Sequence, residues 1–164
     1  MDNRPRVELE LSRMDKVLHT GSRIALILTW MTFFFIYTDL PEISPTHFNL
    51  HGEADGFGHK KIFFILPIIC SLTFGLLWYL EDKPYLYNYP VKITPENAKK
   101  QYVMASRLMR YINVILPLMF TFILVAVYDS VHGNKLGLSK GLLPFVFVLV
   151  IIPSFYMVYK ALKN

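Results

Sequence analysis

Ile62-Phe-Phe-Ile-Leu-Pro67-Ile-Ile-Cys70-Ser-Leu-Thr-Phe-Gly75-Leu-Leu-Trp78-Tyr-Leu80 contains no charged side chain, while Lys60 and Lys61 precede it and Glu81, Asp82 and Lys83 follow. About 17–25 helical residues cross a hydrocarbon core of about 30 Å. Backbone amides in lipid must find partners within their own segment, which makes such a stretch a helix. Three more blocks share this character: Ile24–Thr38, Tyr111–Tyr128 and Leu142–Tyr159. All 17 basic and 12 acidic residues lie outside the four. The totals, 54% apolar and 18% charged, decide less than this distribution does. Four such helices in a soluble chain of 164 residues would leave too little polar surface to cover them.

The expected fold is all-α: an integral membrane four-helix bundle with spans at 22–38, 62–80, 111–128 and 142–159. The first block is short and needs Gly21 and Ser22, with Arg23 snorkelling to the interface. It begins after 23 residues of mixed charge, and no small-x-small site follows it, so it reads as a retained anchor. The only cysteine, Cys70, sits inside the second block and excludes a disulfide framework.

Charge sets the orientation. The N-terminal tail, the segment 81–110 and the C-terminal end together hold thirteen lysines and arginines; the loops 39–61 and 129–141 hold four. The positive-inside rule puts both termini and segment 81–110 in the cytoplasm. The net charge of +5 is therefore a topology signal and calls for no nucleic acid. Tyr37 and Tyr128 fall at outer ends, and Trp78, Tyr79, Tyr111 and Tyr159 at inner ends, where amphipathic rings favour the headgroup level.

Residues 1–23 read as a cytoplasmic lead-in helix, because Val7, Leu11, Met14 and Leu18 form one apolar stripe. Residues 24–164 form the single membrane domain. Lys83–Val91 is too rich in proline and tyrosine to be regular. Thr94 is then a good helix cap, with Pro95 at the first helical position and Glu96 at the positive end of the dipole. A helix starting there extends the third span into the cytoplasm. Pro67, Pro117 and Pro153 are each expected to kink a span.

No ionisable residue falls within the four blocks, which argues against a proton-coupled transporter acting alone. The dense polar region is the loop 39–61, with His47, His51 and His59 beside Asp39, Glu42, Glu53 and Asp55. Imidazoles and carboxylates together suit a divalent transition metal, and His47, His51, Asp55 and His59 are the residues that would hold one. Yet Pro45 and Gly52 interrupt any helix there, and the glutamate of a zinc-hydrolase motif is missing. The stronger reading needs no cofactor: an extracytoplasmic cap, with glycines at its turns and a His-Asn-Asp hydrogen-bond network.

Two segments carry a family likeness. Pro45-Thr-His47-Phe48-Asn49-x-x-Gly52-x-x-Asp55-x-x-x-x-Lys60 resembles the signature of a bacterial membrane domain of unknown function. That domain stands at the N-terminus of SdpI-family proteins, whose named member gives immunity to a secreted killing peptide. Asn88-Tyr89-Pro90-Val-Lys-Ile-Thr94-Pro-Glu-Asn97-x-x-x-Gln101 is similar to a second box of the same group. The resemblance implies a multi-pass protein of the bacterial inner membrane, non-enzymatic, whose outer loop meets a secreted peptide, a lipid or another membrane protein. Two other functions compete with it. One is a membrane enzyme, such as a metal-dependent hydrolase, with His47 as base oriented by Asp55; the other is an accessory subunit of a transporter.

Overall fold

The computed structural model describes residues 4–49, 51, 53–133, 144 and 146–163. Helix α1 covers Arg13–Tyr37 and is started by a capping box. The Asp15 amide donates to Ser12 Oγ (3.3 Å), and the Ser12 amide donates to the Asp15 carboxylate (3.0 Å). The expected lead-in helix is therefore shorter than its apolar stripe suggested. Residues 4–12 are not helical, so Val7 and Leu11 share no helical face with Met14 and Leu18. From Arg13 onward, lead-in and first span are one unbroken helix of 25 residues.

The interval after α1, expected as a loop cap, is a β-hairpin. Strands β1 (Ile43–Phe48) and β2 (Ala54–His59) are antiparallel, with Ile43 opposite His59 and Pro45 opposite Phe57. The register shifts on either side of His47. Gly56 is required by close approach, since a Cβ there would lie 2.9 Å from that of His47. Gly52 lies outside the described residues.

A 3-10 turn, Lys60–Phe64, leads into α2 (Ile65–Glu81), so Pro67 falls in the first turn of the helix, where its missing N–H costs little. Helix α3 runs from Pro95 to Val131, 37 residues with Pro117 inside. Thr94 caps it as expected, in a capping box with Asn97. At ~1.5 Å per residue it is roughly 55 Å long, more than a hydrocarbon core is thick. Helix α4 (Ile152–Leu162), with Pro153 at its second position, follows a π-helical turn at Phe147–Ile151. Most of the second expected outer loop, residues 134–141, lies outside the described residues, as does the beginning of the fourth expected span.

Among the described residues three helices are long and apolar enough to cross a membrane: α1, α2 with its leading turn, and α3; Phe147–Lys160 is a shorter apolar helix. Their outward faces are apolar too. Ile27, Met31 and Phe35 on α1 and Ile65, Leu72 and Leu76 on α2 stand exposed. Large apolar faces without cover belong against lipid, and the chain is a membrane protein.

Helix α3 packs along both α1 and α2. At the hairpin end the core is Phe33, Ile36, Leu40, Phe63, Leu124 and Val127, with Tyr37, Phe48 and Tyr128 against it. Mid-span polar groups join helices. The Thr29 hydroxyl, within reach of both the Pro117 carbonyl (3.0 Å) and Thr121 Oγ1 (2.9 Å), links α1 to α3. Trp30 Nε1 donates to Ser71 Oγ (2.9 Å), linking α1 to α2. Such bonds between membrane helices stabilise by about 0.6–2 kcal/mol each.

Candidate functional site

The hairpin gathers the first sequence box. His47 Nδ1 meets Asp55 Oδ1 across the strands at 2.5 Å, with both side chains open to solvent. Asn49 closes the turn. Its Oδ1 accepts from the amides of His51 (2.9 Å) and Glu53 (3.0 Å), and its Nδ2 donates to the Glu53 carboxylate. The expected network thus splits into a His47–Asp55 pair and a separate Asn49–Glu53 clamp. Phe48 turns towards the core, and Pro45 is buried opposite Phe57. Lys60 donates to the Leu40 carbonyl (3.1 Å), pairs with Glu42 (3.3 Å) and lies over the Tyr37 ring, fastening the hairpin to the end of α1.

His59 Nε2 pairs with Glu42 (3.1 Å) and its Nδ1 accepts from the Lys61 amide, while His51 sits at the turn. Among the described residues no three His, Cys, Asp or Glu side chains converge as a metal site. His47, Asn49 and His59 are each paired with a carboxylate of the loop. Ser44, the serine nearest His47 in sequence, is buried and donates to the Pro41 carbonyl (2.7 Å), so it is not paired with the imidazole.

One face of the hairpin carries Ile43, Asp55, Phe57 and His59 outward, with the two apolar side chains more than 60% exposed. Beneath it lies an apolar recess of about 340 Å³ lined by His47, Phe48, Ile62, Phe63, Ile123 and Val127, among others. His47 stands at the boundary between the polar pair and this recess.

The second box lies at the opposite end. Asn97 holds the start of α3, accepting from the Thr94 amide and donating to the Lys92 carbonyl (both 2.9 Å). Asn88, Tyr89, Pro90 and Gln101 line a cavity of about 230 Å³ together with Met157 and Val158. Tyr87 donates to the Leu80 carbonyl (2.7 Å) and Tyr89 to the Pro84 carbonyl (2.9 Å). Burial pushes both phenols up, Tyr87 to about 12, so both remain hydrogen-bond donors at neutral pH. Arg4 donates to the Tyr87 carbonyl and lies against the Tyr89 ring.

Next to this box is a cluster that the sequence did not disclose. Arg110, 3% exposed, reaches Asp15 (3.5 Å), Asp82 (3.2 Å) and His19 (2.9 Å). Arg107 binds both oxygens of Asp15, at 3.1 and 3.2 Å. Glu81, 1% exposed, lies 2.9 Å from His19. These residues flank the apolar blocks, and a search for charge within the blocks passes over them. The available signal was spacing. Asp15 and His19 stand four apart and Arg107 and Arg110 three apart, each pair on one helical face, with Glu81 and Asp82 ending the span between.

The family match falls on the hairpin end. Residues 24–70 match the family model described as a domain of unknown function (DUF1648). That stretch covers most of α1, the whole hairpin and the first turns of α2. An uncharacterized protein of Archaeoglobus fulgidus is 39% identical over 63 residues, covering 38% of this chain. The aligned stretch spans about a third of that relative, 34% of its length. No solved structure matches.

Proposed function

We propose that this is a non-enzymatic, four-span protein of the cytoplasmic membrane that receives an extended peptide, or an extended segment of a partner protein, on its β1–β2 hairpin. In this reading both termini, segment 82–94 and the first part of α3 are cytoplasmic, and the hairpin is an extracytoplasmic cap. The thirteen-to-four charge asymmetry supports that orientation.

The observation that carries the reading is the hairpin's open surface above an apolar recess. Only two strands pair in this sheet, so each has an outer edge without a strand partner among the described residues. An added strand would find main-chain partners on such an edge, and the recess would take an apolar side chain. The His47–Asp55 pair at the rim supplies charge-assisted contacts to set register. The likeness of the two boxes to SdpI-type immunity proteins suggests a secreted peptide as the occupant.

The test is survival. Cells expressing the chain are challenged with a panel of secreted antimicrobial peptides, beside strains carrying Phe57→Ser or His47→Ala at equal membrane abundance. The expected result is protection against at least one peptide, reduced tenfold or more by either substitution. Unchanged survival across the panel, with and without the chain, would overturn the reading.

A further inference from the structure

Asp15, Glu81 and Asp82 face Arg23, Arg107 and Arg110 at the charged end. Glu81 is almost wholly buried, and a buried carboxylate oxygen without a hydrogen-bond donor is costly. One proton on the carboxyl relieves that cost.

The geometry locates that proton. Arg110 Nε–H donates to His19 Nε2 at 2.9 Å. Arginine keeps its protons, so Nε2 presents its lone pair and the ring proton sits on Nδ1. Glu81 Oε1 lies 2.9 Å from the same Nε2 and has no conventional hydrogen-bond partner among the described residues. Arg110 Nε lies 3.7 Å from Glu81 Oε2, too far to hydrogen-bond the carboxyl, and two bare acceptors 2.9 Å apart repel. A proton on Glu81 turns the contact into an O–H···N hydrogen bond that shares the Nε2 lone pair with Arg110.

We infer that His19 and Glu81 form a proton-binding site joining α1 to α2, in which Glu81 is a neutral carboxylic acid donating to His19 Nε2. The groups facing it are Asp15 and Arg23 from α1, Asp82 from the end of α2, Arg107 and Arg110 from α3, and the Tyr87 hydroxyl from the connecting segment. Arg110 touches all three helices through this site, so the proton controls how the cytoplasmic ends of the proposed bundle are held. Loss of the proton sets Glu81 and the His19 lone pair against each other. A second proton, on His19, sets an imidazolium against Arg110.

Two measurements on the purified full chain in detergent test this. Infrared spectroscopy at pH 7 is expected to show a protonated-carboxyl carbonyl band, when freely exposed carboxyls are ionised, and to lose it in Glu81→Gln. A wild-type spectrum at pH 7 without such a band would overturn the proposal whether or not the variant folds. Thermal stability against pH is expected to pass through a maximum in the wild type, falling on both sides. Glu81→Gln, whose amide donates permanently, is expected to lose the decline on the alkaline side. A folded Glu81→Gln protein that keeps that decline would equally overturn it.

Discussion

Two glycines show how differently one residue type is used along this chain. At Gly56 an added methyl meets the Cβ of His47 at 2.9 Å across a strand pair; at Gly75, within α2, it meets nothing within 4 Å. Gly56→Ala is expected to destabilise by about 1–3 kcal/mol, as overpacking does, and to loosen the His47–Asp55 pair. Gly75→Ala is expected to stabilise by roughly 0.5–1 kcal/mol through helix propensity. Thermal unfolding of the two variants in one detergent should shift in opposite directions; a shared direction would contradict the packing described. The arginines differ in the same way. Arg110 is buried among Asp15, Asp82 and His19, whereas Arg107 is more than a third exposed. Arg110→Met leaves buried charge unmatched and is expected to cost about 3–5 kcal/mol. Arg107→Met, which leaves Asp15 its contact with Arg110, is expected to cost clearly less, and chemical unfolding should rank them so.

At the scale of elements, α2 was the most legible because nothing charged interrupts it. The start of α3 was equally plain, since Thr94, Pro95, Glu96 and Asn97 each prefer the position they occupy. Thr94→Ala is expected to cost about 1 kcal/mol by removing one half of the capping box. The loss should appear as faster hydrogen exchange at the amides of Asn97 and Ala98; unchanged exchange would deny the cap its role. The hairpin hid itself. Ile43-Ser-Pro-Thr-His-Phe48 does not alternate apolar and polar residues, and β2 carries two glycines, so neither strand shows the usual period of two. The lead-in helix departs from its sequence pattern for the opposite reason. Its stripe was visible, but the Ser12–Asp15 capping box fixes the start of α1 six residues beyond the expected Val7.

For the whole molecule, the charge distribution tells of the membrane and says little of the chemistry at its borders. The paired ends of three helices assemble the cluster around Arg110, and no single segment contains enough of it to be recognised. The orientation is open to a simple test, because Cys70 is the only cysteine and is buried. Glu53→Cys on the hairpin turn is expected to react with a membrane-impermeant maleimide in intact cells. Lys99→Cys, early in α3, is expected to react only after permeabilisation. The reverse pattern would invert the protein in its membrane.

The two tryptophans give the protein an optical readout of its own. Trp30 binds Ser71 where α1 crosses α2, while Trp78 lies edge-on to His19, 4.7 Å between ring centres, with the Arg23 guanidinium over its face. An indole dims when a neighbouring imidazole acquires charge. Emission from Trp78, isolated by Trp30→Phe, should therefore follow events at the arginine-rich end in native, unlabelled protein, while the opposite end stays dark to the measurement.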